Sequence, residues 1–425
     1  MALPKIKADA TEARLAALSL PAGADAARQA ALARVTKMGL PIKRDEYWRY
    51  TDPSSLTAVD APKAAVFHAD EAPVFGEIDR VKIVFVDGVF DADASDDLSL
   101  EGVEVSRLAD AFAADIHWAT DLYGTLEANG QVPVERPLAA LNTAFATDGV
   151  VIHATGKAAK PIHIVYVHND DASDAMLHHL IKVDAGAEVT VLESGPAASR
   201  FSCVTEADIA DTGTLHHVRT QGRDHERRAV TGTFARLGTE STFKSFTLTV
   251  NGVLTRNETV MELTGDDAIA HVAGACVGDG RDFHHDDTIF ITHDAENCES
   301  RQVFKKVLRN GATGVFQGKI LVKEGAQKTD GYQISQGLLL DDDSNFLAKP
   351  ELEIYADDVA CSHGSTCGAL DETALYYLRS RGVPAAEATD MLTLAFLAEA
   401  LDEIENEDLA DDLRDRLEAW LARRR

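Results

Sequence analysis

Three side chains near the C-terminal end could hold a soft metal: Cys361, His363 and Cys367, in a C-x-H-x3-C arrangement. Thiolate and imidazole are ligands of zinc and of iron–sulfur clusters. Free cysteines and strand-end histidines also occur without any ligand, so spacing alone leaves both readings open. A second cluster is Phe283-His-His-Asp-Asp287 with His293 and Asp294. Imidazoles mixed with carboxylates suit several divalent ions and select none. The plainer expectation for His284-His285-Asp286-Asp287 is a solvated turn, with Cys298 following as one more thiol. The pairs His178-His179 and His216-His217 lie in strand-like runs, where neighbours point to opposite faces, so neither pair should chelate one ion. Gly314-Val-Phe-Gln-Gly-Lys-Ile320 has three residues between its glycines and Ile after its lysine. It therefore fails as a phosphate loop and reads as a strand. With no G-x-S-x-G elbow and no Rossmann fingerprint, no nucleophile–base set emerges, and the chain is not expected to be an enzyme.

The elements around the cysteines are legible. From Lys349 to Gly382 the chain reads KPELEIYADDVACSHGSTCGALDETALYYLRSRG. Leu352 and Ile354 alternate with Glu351, Glu353 and Tyr355, the period of a strand. Continued without a bulge, that alternation sets Val359, Cys361 and His363 on the side of Glu353 and Asp357, the wetter one. Asp371 then suits a helix N-cap, and Gly382 followed by Pro384 suits a stop.

Upstream, residues 8–38 read as a helix pair broken at Pro21-Ala-Gly, followed by a Tyr47, Trp48 and Tyr50 cluster that should pack this cap onto the rest. Val81 to Phe90 is a strand run with an Asp-Gly turn, and 105–146 returns to helix. From Gly149 short apolar alternations replace helices. Glycines precede strands at 156, 186, 213, 238 and 265, with gaps of 30, 27, 25 and 27 residues. Strands and turns at a near-constant period suit a β-solenoid or a β-sandwich, and the period does not separate them. Beyond 371, Leu409, Leu413, Leu417 and Leu421 with Trp420 stripe a charged helix. Three regions result: 1–148 mixed and mostly helical, 149–363 β, 364–425 helical.

Forty-one basic against 70 acidic residues give a net charge of −29, which disfavours nucleic acid and anionic lipid as partners. The short basic run Arg423-Arg424-Arg425 reads as a cationic helix end. Five scattered cysteines argue against a disulfide framework and for a reducing compartment. The first 18 residues show no continuous apolar h-region, and no stretch of about 20 apolar residues exists, so a cytoplasmic, non-membrane chain is expected.

The Cys361-Ser-His-Gly364 segment resembles the end of the β-helical core in the SufB/SufD family of iron–sulfur cluster assembly proteins, on its SufD side. The likeness continues through Ser300-Arg-Gln-Val-Phe-Lys-Lys-Val-Leu308, Gly314-Val-Phe-Gln-Gly-Lys319, Ala326-Gln-Lys-Thr-Asp-Gly-Tyr-Gln333, Leu338 to Asp342 and Lys349 to Asp358. Near the start it includes Gly39-Leu-Pro and Arg44-Asp-Glu-Tyr-Trp-Arg-Tyr-Thr51. The resemblance implies a right-handed parallel β-helix between helical regions. It further implies a scaffold subunit that pairs with SufB through the β-helix and docks the SufC ATPase through roughly residues 371–404. His363, with Cys361 beside it, would face SufB where a transient iron–sulfur cluster or iron is held, and Cys367 would be a bystander. A homodimer could form in isolation. The additional cysteines and polar core residues typical of SufB are not located in this sequence. Two rival expectations are a zinc-stabilised β-solenoid and a β-helix enzyme acting on polysaccharide through Asp286 and Asp287.

Overall fold

The computed structural model describes residues 3–67, 72–114, 116–222 and 225–423. Two parallel sheets face each other, and each turn of chain adds one strand to both. One sheet holds Val81–Val86, Ile162–Val167, Glu188–Ser194, Thr214–Gly222, Thr242–Val250, Ile269–Asp279, Glu299–Arg309, Asp330–Leu339 and Ala360–Gly368. The other runs through Val150–Ala154, Asp174–Val183, Arg200–Ile209, Arg228–Leu237, Leu254–Leu263, His284–His293, Thr313–Val322 and Asn345–Ile354. This is a parallel β-solenoid, and the sandwich alternative falls because each strand pairs in parallel with the strand one coil earlier, where a sandwich pairs its strands antiparallel. Among the described residues only the opening end pairs strands antiparallel: Val81–Val86 with Val89–Asp91, and Val103–Arg107 with Val150–Ala154. The Asp87-Gly88 turn, with both φ angles positive (49° and 82°), is the hairpin expected there.

The stack is in register, so residues at one position form a column. Phe243, Ala270, Ser300, Gly331 and Cys361 make one such line. Side chains alternate in and out along each strand. The inward columns supply the lumenal core, including Ile162, Val191, Phe201, Leu215, Phe243, Met261, Ile289 and Phe316. A backbone position with positive φ recurs once per coil at the corner before the first sheet's strands: Gly186, Thr212, Glu240, Asp267, Asn297 and Lys328. Each turns its N–H onto the next coil, as in Thr212 N–H to Thr239 O (2.7 Å) and Asp267 N–H to Glu296 O (2.9 Å). The periodic glycines mostly sit beside these positions. Gly265 is required because a Cβ there would collide with the Thr239 backbone of the neighbouring coil.

Both outer sheet faces are covered. The N-terminal helices Lys5–Ala16, Asp25–Met38 and Pro137–Phe145 bury Val35, Met38, Trp48, Leu138 and Leu141 against Met176, Val230 and Leu254. Trp48 carries the Arg256 guanidinium 4.1 Å above its ring, and Tyr47 meets Phe290 edge-on, so the aromatic cluster does clamp the cap to the solenoid. At the other end, helices Ala385–Leu401 and Glu407–Arg423 fold back over the first sheet. Leu397, Leu401, Leu409, Leu413, Leu417, Trp420 and Leu421 pack on Val218, Phe246, Ala273 and Val303. The apolar stripe is thus intramolecular. His216 and His271 face Glu405 and Glu403 across this seam, at 3.5 and 3.4 Å. Of the terminal arginine run only Arg423 lies among the described residues; Arg424 and Arg425 fall outside them. No helix among the described residues is long and apolar enough to cross a membrane.

Burial holds several rings neutral: His163 is pushed down to about 3, and His179 and His293 to about 4. The unfolded chain protonates them near 6.5. Their contribution is therefore intact above that pH and is lost as pH falls from about 6.5 toward 4, by about 2 kcal/mol per ring at pH 5. Thermal melts should show a clearly lower midpoint at pH 5 than at pH 7; equal midpoints would contradict this burial.

Candidate functional site

Ala360–Gly368 is the last strand of the first sheet and Asn345–Ile354 the last of the second, so each has one free edge. Both are built entirely of half-buried or exposed residues. The two edges differ in kind. Asn345–Ile354 carries Lys349, Pro350, Glu351 and Glu353, charges and a proline that discourage a further strand. Ala360–Gly368, reading ACSHGSTCG, has neither charge nor proline, so its main-chain donors and acceptors are left open to pairing.

The chain turns a corner between Ile354 and Ala360, so the alternation seen at Glu353 does not carry through to His363. Glu353 lies on the outer face, where it pairs with Lys319. Cys361 and His363 belong instead to inward columns. His363 continues Val191, His217, Ser245, Val272, Gln302 and Gln333. Cys361 is half-buried beside Ile320, Val322 and Ala326, its Sγ lying over Gly331, and burial pushes its thiol up. His363 and Cys367 are exposed for the simple reason that no further coil covers them. A lumenal row is thereby displayed to the outside.

Beneath His363 the lumen is polar. Gln333 Nε2–H donates to Gln302 Oε1 at 2.8 Å, while Gln333 Oε1 and Gln302 Nε2 have no hydrogen-bond partner among the described residues. Gly318, the second glycine of the pseudo-phosphate loop, makes room for the Gln333 amide, which a Cβ would strike. Thr313–Val322 is a strand, as its sequence suggests. One position further along, Ser335 and Ser365 hydroxyls meet at 3.0 Å.

The His284–Asp287 group is not a solvated turn. It opens the strand His284–His293, and alternation divides it between two buried environments. Asp286 faces outward under the N-terminal cap, where Arg256 pairs with it and Thr51 donates to it at 2.5 Å. Burial would raise its carboxyl, but Arg256 and Thr51 outweigh that and hold it below the usual range. His285 and Asp287 face the lumen and share Lys306, whose Nζ lies 2.7 Å from His285 Nδ1 and 2.5 Å from Asp287 Oδ2. Asp286 and Asp287 therefore open to different spaces and cannot work as a catalytic acid pair on a polysaccharide.

The histidine pairs divide as expected, but their inner members join a network that the sequence reading missed. His179 Nε2 meets the Tyr166 hydroxyl at 2.8 Å, and that hydroxyl donates to Glu193 Oε2 at 2.8 Å. His217 and Arg219 bind Glu193 Oε1 at 2.6 and 3.0 Å. Arg219 continues to Thr231, Thr231 to Asn257, and Asn257 to Asp287. A polar core is thus present after all. Its signal was the run of polar residues at inward positions, Glu193 after Val189 and Val191, and His217, Arg219 and Gln221 after Leu215.

His179, Glu193 and Cys203 bring donor atoms within 4.8 Å of one another, the spacing of a metal site. Their chemistry does not fit one. The Val150 N–H donates to His179 Nδ1 (2.9 Å), so the ring proton sits on Nε2 and neither nitrogen offers a free lone pair. Burial and the Glu193 charge push the Cys203 thiol up. Burial would also raise Glu193, but Arg219 and His217 hold it well below the usual range. The group is a closed hydrogen-bonded cluster.

A family model described as "SUF system FeS cluster assembly, SufBD core domain" matches residues 166–396, and one for the "SufBD protein N-terminal region" matches 11–164. The chain belongs to the SufBD family. An iron–sulfur cluster assembly SufBD family protein of Synechocystis is 29% identical over 91% of this chain and 89% of its own. The iron–sulfur cluster assembly protein SufD of Escherichia coli is 27% identical over 91% and 90%, and SufD of Bacillus subtilis 27% over 66% and 65%. The polar lumen and the open end are therefore features of a SufBD solenoid.

The buried Lys306–Asp287 pair is a direct check on the lumen. Asp287→Ala should cost about 3–5 kcal/mol in urea unfolding, because an uncompensated ammonium stays buried, and adding Lys306→Met should recover most of the loss. A cost below about 1 kcal/mol would show the pair to be solvated.

Proposed function

We propose that this chain is a SufD-like, non-catalytic scaffold of cytoplasmic iron–sulfur cluster assembly. It pairs with SufB through the solenoid end and docks SufC through its C-terminal helices. His363, with Cys361 beside it, serves a transient cluster or its iron at the shared interface. The observation that carries the reading is the uncharged last strand, which displays a lumenal row with an imidazole and a thiol on it. One histidine and one half-buried thiol are too few ligands to hold a cluster. An incomplete set suits cargo that must be passed on.

The docking part rests on helix Glu372–Ser380, which Asp371 caps by accepting from Thr373 and Ala374 N–H. It buries none of its residues, and Tyr376 and Tyr377 are 75% and 55% exposed. Met391 on the following helix is also exposed. Exposed aromatics with a methionine have the composition of a protein-binding face. ATP hydrolysis is then left to SufC, in keeping with the failed phosphate-loop match.

Two co-expression experiments with SufB and SufC test this. His363→Ala should leave the complex intact but lower its iron and acid-labile sulfide several-fold; an assembled complex with undiminished iron would contradict the assigned role. Tyr376→Glu with Tyr377→Glu should abolish co-purification of SufC while the SufB pairing and the melting temperature hold. Retention of SufC would place its dock elsewhere.

A further inference from the structure

The outer face of the first sheet and the helix Glu407–Arg423 enclose a cavity of about 810 Å³. That volume falls within the range of sites for small organic ligands. Its walls are mostly apolar: Val84, Val165 and Val250 from the sheet, Leu417 and Trp420 from the helix, and Phe67 at the rim. The cavity is braced. The Phe75 ring packs edge-on to His163, and Arg416 donates to the carbonyls of Ala72 and Pro73 while pairing with Asp412.

One end of this apolar space is cationic. Arg80, Lys82 and Arg416 all lie near enough to His163 to disfavour its protonation. Arg80 Nε–H donates to His163 Nδ1 (2.9 Å), which leaves the His163 Nε2–H for Ser194 Oγ (2.8 Å). Arg80 is further tied to the Gly76 and Ile78 carbonyls. Lys82, paired in register with His163, has no hydrogen bond or ion pair to its ammonium among the described residues. Among the described residues, the cationic groups lining the cavity are Arg80, Lys82, Arg416 and Arg423, and the acidic ones are Asp412 and Asp415. Among the described lining residues cations thus outnumber acids four to two, on a chain of net charge −29. Such an excess attracts an anion and repels cationic ligands.

We propose that this cavity binds an amphipathic anion: a carboxylate or phosphate head against Lys82, with an apolar body between Val165, Val250 and Trp420. Neither half of the site explains the other. An apolar slot needs no lysine, and a simple anion needs no wall of valines.

The test uses the full chain with dodecanoate, dodecyl phosphate, dodecanol and inorganic phosphate, each displacing cis-parinarate. Dodecanoate or dodecyl phosphate should displace the probe, and which of them binds more tightly identifies the head. Inorganic phosphate should not displace it. Lys82→Glu should weaken the anionic ligand at least tenfold and leave dodecanol unchanged, and Val165→Trp should remove binding of both. 2-Bromododecanoate should quench tryptophan emission in the wild type, and Trp420→Phe should eliminate that quenching, which locates the site even if the filled variant does not fold. Unchanged anion affinity in Lys82→Glu, displacement by phosphate alone, or quenching that persists without Trp420 would each overturn the proposal.

Discussion

In a parallel stack held strictly in register, no side chain is chosen alone. Each inward residue lies between the same position of the coil before and the coil after, and must satisfy both. Apolar columns meet this demand cheaply, as Val189, Leu215, Phe243 and Ala270 do. Polar columns meet it where donors find acceptors within one strand spacing, about 4.8 Å away, and the Gln302–Gln333 pair under the open end meets it only in part. The stack must also stop somewhere. At the stop, the last strand has a neighbour on one side only, and its inward row loses its cover.

Both consequences shape this chain. The lumen carries a continuous line of hydrogen bonds from His179 through Glu193, Arg219, Thr231 and Asn257 to Asp287 and Lys306. Charges of both signs alternate along it, so the low dielectric strengthens each contact instead of penalising an isolated ion. At the opening end the problem is solved by antiparallel hairpin pairing and a helical cap. The closing end is treated unevenly: the second sheet's edge is guarded by charge and proline, the first sheet's is not. Under the scaffold reading, that unguarded edge is where a sister solenoid completes both the sheet and the ligand set.

The sequence was informative wherever a local rule decided the outcome. The Asp371 cap, the Asp87-Gly88 hairpin and the Leu409–Leu421 stripe are each set by a few neighbouring residues. The glycine period marked the corners correctly, although the strained φ usually falls on a neighbour such as Thr212 or Asp267. What could not be read was anything that depends on partners in a neighbouring coil or in the facing sheet. His285 and Asp287 looked hydrophilic and therefore exposed, because Lys306, which neutralises Asp287, sits 19 residues on and in the other sheet. The face of His363 was misread for the same kind of reason. The corner at Tyr355–Val359 resets the alternation, and period-two counting does not cross a change of sheet.

The central claim is that the strand Ala360–Gly368 is an unfinished edge which a partner chain completes. Hydrogen–deuterium exchange of this strand, in the isolated chain and after mixing with SufB, examines it most directly. The account predicts fast exchange of its outward-facing amides alone and strong protection in the mixture, with Thr242–Val250 deep in the stack unchanged. Equal exchange with and without SufB, in a sample shown to contain the complex, would mean that the open end is not where the partner binds.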